Sequence, residues 1–415
     1  MRRLGVFLWL FLILIGCDPK PKNSPLLTEI FQSAGEKIPE VVANPENYRI
    51  QIIYTQIDRK KDQSPVFTTH TFRLDTTRYF YPASTVKFPA AVLALDKLTR
   101  YASLGISKDS KVSIGTGFSG MTPVFNDSSS QSGDASIGHY IKKILVASDD
   151  DAFNRIYEFL GQEYLNERLW ELGFSDVRIS HRLSIPLSVE ENRHTNPIQF
   201  YDDQGRRMLE QPMARSPLDL TVNADGTLLG TAYISKGERV SNPMDFSKKN
   251  FYHLAEQQRF LRQIIFPETV PKNKQLYLKK KDYEFLYQWM STLPRKSQYP
   301  TYNDYSKYYD GYCKFFMVGD SKDQLSDHIR IFNKVGWAYG FLIDNAYIID
   351  TLNGVEFFLS AVIYANSNDT LNDGIYDYDS IALPFLAKLG KAVYNYDLKR
   401  DRSILPDFSR FIVNK

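Results

Sequence analysis

The chain has 415 residues, 43% of them hydrophobic and 24% charged, with a formal net charge of +3. That is enough apolar material for one large domain or two ordinary ones, and it excludes a disordered chain. Basic and acidic residues nearly balance, and no long basic run stands out beyond "LKKKD" around Lys280, so no nucleic-acid partner is expected.

The first segment, "MRRLGVFLWLFLILIGC", carries Arg2 and Arg3 and then an apolar run. It reads as a secretory signal and is too short for a confident membrane span. Its ending, Leu14-Ile15-Gly16-Cys17, resembles the lipobox of bacterial lipoproteins. The resemblance implies removal of residues 1–16 and a lipid on the Cys17 thiol. The protein would then be exported and anchored to the cell envelope, on a periplasmic or outer face. The alternative is an ordinary signal peptide with a chance cysteine. The only other cysteine is Cys313, so a lipidated Cys17 leaves no partner for an internal disulfide. "DPKPKNSP" is polar and proline-containing, and residues 17–46 read as a tether.

Ordered structure is expected from about Tyr48. "YRIQIIYTQID" and "VFTTHTFRLD" flank the polar "RKKDQSP" and read as a β-hairpin. A helix follows from about Ser84 to Thr99, then a loop rich in Ser, Gly and Asp. Helical periodicity returns in "IGHYIKKILVA" and through "DDAFNRIYEFLGQEYLNERLWELG", stopped by Gly173. "SPLDLTVNADGTLLG" looks like strands and turns, and "KKKDYEFLYQWMSTL" like a helix. "YPTYNDYSKYYDGYCKF" is heavy in tyrosine, which fits amphipathic packing better than a carbohydrate platform. "IRIFNKVGWAYGFLIDNAYIID" and "GVEFFLSAVIYA" read as strands, and "SIALPFLAKLGKAVYNYDL" as a last helix. There is no internal repeat. This order predicts an α+β fold: one antiparallel sheet built from both chain ends, helices on its faces, and a helical subdomain.

The chemistry concentrates in "YFYPASTVKFPAAVLALDKL". Ser84 and Lys87 lie three residues apart at a helix start, which puts hydroxyl and amine on one face. A helix N-terminus and an apolar wall both penalise the ammonium, lower its pKa and make a neutral amine available as a base. Taken alone, the pair reads better as an N-cap at Ser84 and a solvated first-turn lysine at Lys87. Ser148-Asp149-Asp150 opens a second helix with Asn154 one turn further in, and Lys334-Val335-Gly336 sits on a late strand leading into "WAYG". The six histidines show no metal spacing. His181 and His194 are expected in a solvated loop, and no metal or other cofactor is assigned.

Together these stretches resemble the S-x-x-K, S-D-N and K-T-G signatures of the class A β-lactamase and penicillin-binding-protein superfamily of serine hydrolases. The resemblance covers roughly residues 48–398, apart from the middle, and implies the β-lactamase-like fold for residues 47–415. It implies Ser84 as the acylated nucleophile and Lys87 as its base or proton relay. Ser148 would carry a proton toward the leaving nitrogen, and Lys334 would supply positive charge near Ser148 and the substrate carboxylate. The backbone N–H groups of Ser84 and Trp337 would form the oxyanion hole. Asp150, Asn154, Val335 and Gly336 would contact substrate, with Gly336 allowing close approach.

The chain also departs from the pattern. Asp150 stands where the family has Asn, adding a carboxylate beside Lys87. Val335 replaces a Thr or Ser whose hydroxyl binds the substrate carboxylate. No glutamate has the Ω-loop spacing of class A enzymes, although "IPLSVEENRHTNP" offers Glu190 and Glu191 as possible deacylation bases. The long stretch between the second and third motifs suggests an insertion at about 195–280.

The leading reading is a lipid-anchored serine hydrolase that forms an acyl-enzyme on a β-lactam or a related amide or ester. The substrate would be a small lactam or a peptidoglycan-like molecule. A D,D-peptidase or esterase-like relative with poor lactam turnover is the second reading. A catalytically inactive binding lipoprotein that keeps the fold is the third.

Overall fold

The computed structural model describes residues 23–35, 38–118 and 120–412. The expected signal segment and Cys17 lie outside the described residues. The expected first hairpin forms from β1 (Gln51–Arg59) and β2 (Pro65–Phe72). The late strands are β3 (Ile329–Ala338), β4 (Phe341–Asp350) and β5 (Val355–Tyr364). All neighbours pair antiparallel in the order β3-β4-β5-β1-β2, so β1 of the N-terminal part closes against β5 of the C-terminal part. One sheet built from both chain ends is therefore present, as its strand patterns predict.

Both faces of this sheet are covered, which is why β4 and β5 are buried along their whole length. The period of two divides their side chains. Leu342, Ala346 and Ile348 join one core with Phe357 and Leu359, while Ile343, Tyr347 and Ile349 join the other with Phe358 and Val362. The first core is closed by two helices, α1 (Pro25–Ala34) and the last helix, Leu383–Lys399. Helix α1 corrects the expected tether of residues 17–46. Leu27, Ile30, Phe31 and Ala34 recur at helical spacing and are buried, and the Phe31 ring stacks 4.4 Å from Phe72. Only the part before Ser24 remains available as a tether.

The second core carries the helical subdomain. Helix α2 (Lys87–Leu98) is buried at every residue, α3 spans Ile137–Ala147, and α4 spans Asp150–Leu160. The long helical run expected up to Gly173 is two helices, because Gly161 at φ +73° breaks it before α5 (Gln162–Glu171). Helix α6 (Leu254–Ile265) lies directly on the sheet. A polar seam fixes it there: the Thr55 hydroxyl donates to Gln258 (2.7 Å), the Gln258 amide donates to Ser360 (2.9 Å), and Ser360 donates to Asn345 (2.7 Å). Such a fully satisfied buried network fixes the helix position on an otherwise apolar face.

Residues 195–280 are accordingly not one inserted body. Ile198–Tyr201 pairs with Lys111–Ile114, and α6 belongs to the core. The strands expected in "SPLDLTVNADGTLLG" reduce to Leu228–Leu229.

If α1 is part of the folded unit, Phe31→Ala should cost about 3–5 kcal/mol of stability, the usual loss for emptying a buried aromatic site. Urea unfolding measures this directly. A midpoint equal to wild type would return residues 24–34 to the tether.

Candidate active site

Ser84 lies in the 3-10 turn Ala83–Val86, which runs straight into α2. The turn is entered through a strained residue, Ala83 at φ +48°. The Thr85 N–H (3.1 Å) and hydroxyl (2.7 Å) both donate to the Pro82 carbonyl just before it. Strain of this kind persists only where the surroundings enforce it. Here the edge strand β3 presses against the turn at Gly336. A Cβ at Gly336 would stand 2.8 Å from the Pro82 oxygen and 3.0 Å from the Ser84 nitrogen. Gly336 thus serves the close approach of the strand to the nucleophile's own backbone.

Lys87, one turn on, is fully buried. Its ammonium reaches α3 and α4 where they meet, donating to the Ser148 carbonyl, to the Ser148 hydroxyl (3.3 Å) and to Asp150 Oδ1 (2.5 Å). Ser148 can offer both oxygens because it ends α3 in the left-handed region, at φ +57°. Asp149 caps α4 by accepting from the Ala152 N–H (2.7 Å), which leaves Asp150 to face the lysine.

Lys334 arrives from the sheet. The period of two puts Lys334 and Gly336 on the face toward α2, and the Lys334 ammonium donates to the Ser148 hydroxyl (2.7 Å) and to the Val335 carbonyl (2.8 Å). The same alternation sends the Val335 side chain into the opposite core, at 1% exposure. Val335 therefore offers no side-chain contact to a substrate.

Burial is the largest influence on both amines. It pulls Lys87 below its ordinary value, against an opposing pull from Asp150. It pulls Lys334 down to about 7, helped by the charge of Lys87. Burial pushes the Asp150 carboxyl up, but Lys87, Ser184 and Lys334 outweigh it and hold the group below the usual carboxylate range.

The Ser84 hydroxyl takes no hydrogen bond among the described residues. It opens onto a cavity of about 440 Å³, walled by Asp150, Ser184, Trp337, Tyr339 and Tyr378. The Ser184 hydroxyl donates to Asp150 Oδ2 (2.5 Å), so both carboxylate oxygens are engaged. Asn154 is buried beneath this wall and does not face the cavity. Its amide donates to the Leu183 carbonyl (2.9 Å) and its oxygen accepts from the Leu183 N–H (2.9 Å), which pins the loop that carries Ser184.

Glu190 and Glu191 are not brought to Ser84. Glu190 accepts from Arg215 (2.7 and 3.1 Å), and Glu191 closes a capping box with Ser188 on the short helix Val189–Asn192. Neither lines the cavity. His181 and His194 are half-buried rather than solvated, stacked on Tyr81 and Phe118. Among the described residues no group of His, Cys, Asp or Glu could hold a metal ion.

Sequence reasoning missed the cavity's aromatic wall. Tyr339 follows the "KVGWA" stretch directly and turns the chain at φ +52°, a position adjacent to the motif. Tyr376 comes from the loop after β5 and Tyr378 from the start of the helical turn Tyr378–Ala382 that runs into the last helix, where no local signal marks them.

Ser84, Lys87, Ser148, Asp150 and Lys334 thus come from three separated segments to one point. The chain is similar to several solved structures at low identity. A class A beta-lactamase from Bacteroides cellulosilyticus is 12% identical over 90% of this chain and 98% of its own, with a TM-score of 0.47. A beta-lactamase from Streptomyces albus G is 11% identical over 89% and 98%, with a TM-score of 0.46. One from Burkholderia ambifaria is 12% identical over 91% and 99%, with a TM-score of 0.45. No curated protein matches the chain. The family assignment comes from sequence: the model of the beta-lactamase enzyme family matches residues 34–396, and the chain belongs to that family.

Proposed function

We propose that the protein is a serine hydrolase that acts through an acyl-enzyme on Ser84, on a β-lactam or a related amide or ester. The observation that carries this reading is the convergence of Lys87 and Lys334 on the Ser148 hydroxyl, beside the cavity onto which Ser84 opens. In the acylation step Ser84 Oγ bonds to the substrate carbonyl carbon and its proton passes to the neutral amine of Lys87. Burial shifts Lys87 toward that neutral form, and its contact with Asp150 opposes the shift. The negative charge on the carbonyl oxygen is met by the backbone N–H groups of Ser84 and Trp337. The Ser148 hydroxyl hands a proton to the leaving atom as its bond to carbon breaks, and it recovers one through the two lysines. Water then releases the acyl group.

That last step has weak support from the protein. Asp150 is the carboxylate at the cavity, but both its oxygens are engaged and its pKa is held low, so it is a poor base. We therefore expect fast acylation and slow release. An esterase-like relative with poor lactam turnover is compatible with this site. The inactive binding reading has less support, because Ser84, Lys87, Ser148 and Lys334 are all present and assembled. We also propose export as a lipoprotein, with Cys17 lipidated at the envelope. The support for this is the Leu-Ile-Gly-Cys ending of a short apolar run.

Labelling with a fluorescent penicillin or a fluorophosphonate tests the nucleophile. Ser84→Ala should abolish the adduct, and Lys87→Ala should slow labelling about a hundredfold to ten-thousandfold, the range for losing a general base. Gly336→Ala should also slow it in a folded protein, since the added Cβ displaces the turn from the strand. Labelling that survives Ser84→Ala places the chemistry elsewhere.

Stopped-flow and steady-state kinetics with nitrocefin test release. A burst followed by slow turnover is expected, unchanged in Glu190→Gln and Glu191→Gln. Rapid turnover lost in either variant would show that this loop reaches the site.

For the anchor, Cys17→Ser should release the protein from membranes or block its processing. Fractionation that leaves the variant on the membrane would refute lipidation at Cys17.

A further inference from the structure

The cavity around Ser84 carries charge of one sign in its wall. Among the described residues its wall holds no lysine, arginine or histidine. Its one charged side chain is Asp150, 40% exposed and held ionised by its surroundings. The two nearby cations do not line the cavity, and their charge is taken up by Asp150. Lys87 is 0% and Lys334 4% exposed, and each ammonium is spent on Ser148 and on a second oxygen. Val335, whose position in the motif would supply a hydroxyl to a carboxylate, points into the far core.

Five aromatic residues, Tyr81, Trp337, Tyr339, Tyr376 and Tyr378, make up much of the rest of the wall, beside the uncharged Leu183, Ser184, Ala338 and Asn372. Tyr81 and Tyr339 meet edge to face at 4.9 Å, and Tyr376 stacks on Tyr378 at 5.1 Å. Two of the phenol oxygens are anchored, accepting from the Asn372 N–H (2.8 Å) and the Gly340 N–H (2.9 Å). Aromatic faces attract apolar groups and cations, and the phenol and indole groups bring hydrogen-bond donors but no positive charge. A carboxylate entering here would lose its water beside Asp150 with no positive partner.

From this we infer that the site selects an ester or amide whose groups beside the scissile carbonyl are uncharged or cationic, and discriminates against a carboxylate there. The inference rests on the serine hydrolase reading and names its substrate class. The bond changes are those of acylation: Ser84 Oγ–carbon forms, carbon–nitrogen or carbon–oxygen breaks, and the Ser84 proton ends on the leaving atom. Terminal-carboxylate peptides and free-acid penicillins are then acylated more slowly than the matching neutral esters and amides.

The test compares benzylpenicillin with its methyl ester, which share the same reactive ring, by intact-mass kinetics of the Ser84 adduct in the full chain. A fluorophosphonate serves as a charge-neutral control for nucleophile competence. The methyl ester should label faster than the free acid by about tenfold or more, the size of one poorly screened like-charge contact. In Asp150→Asn that ratio should fall toward one. Faster labelling by the free acid overturns the inference and leaves the hydrolase intact. A ratio unmoved by Asp150→Asn overturns the part given to the carboxylate. No adduct with any of the three reagents overturns the hydrolase reading itself, and the inference with it.

Discussion

Two lysine side chains end on one serine, and the rest of the site is arranged around that fact. Lys87 and Lys334 are both buried, and both donate to the Ser148 hydroxyl. Two ammonium groups out of water repel one another and lose hydration, and such groups stay buried only when paired or neutral. The pairing group is Asp150, 2.5 Å from Lys87. A neutral amide at that position would leave the two amines to share one hydroxyl and a pair of carbonyls. The carboxylate is therefore a solution to a local charge problem. Its consequence falls on the substrate side, because charge balanced within the wall is not available to a bound anion.

The sheet explains why the lysines meet at all. β3 is an edge strand, free on one side to lie against the turn that carries Ser84. Its alternation decides what it delivers there: Lys334 and Gly336 toward the helices, Val335 away. An error of one residue in register would bury Lys334 among Ile331, Leu342 and Phe385 and face Val335 to Ser148. The ten-residue pairing of β3 with β4 guards against that slip.

Much of this was legible in the chain. The hairpin, the three late strands, the last helix and the three motifs are local patterns, and each forms where its period or turn residues place it. The misreadings have physical causes. Helix α1 was hidden behind a polar, proline-bearing lead, although Leu27, Ile30, Phe31 and Ala34 carry helical spacing. Glu190 and Glu191 looked free, but Ser188 three residues before Glu191 is a capping-box signal that commits one of them locally. The partner of Glu190, Arg215, is a long-range contact that no window could contain. The aromatic wall is of the same kind, since Tyr81, Tyr339 and Tyr376 become neighbours only once both chain ends share a sheet.

Asn154 shows how a motif residue can matter without touching substrate. Sitting in α4, it holds both backbone groups of Leu183. The next residue, Ser184, stands at φ +55° and turns its hydroxyl onto Asp150. The loop wall is thus positioned from a buried helix beneath it, and the carboxylate is gripped from both sides. A site built this way has little freedom to swing Asp150 toward a water molecule or away from an incoming acid. The proposed slow release of the acyl group and the inferred discrimination against anions then share one origin: a carboxylate fixed as a structural counter-ion is a poor base, and it takes up the lysine charge that an anion would need.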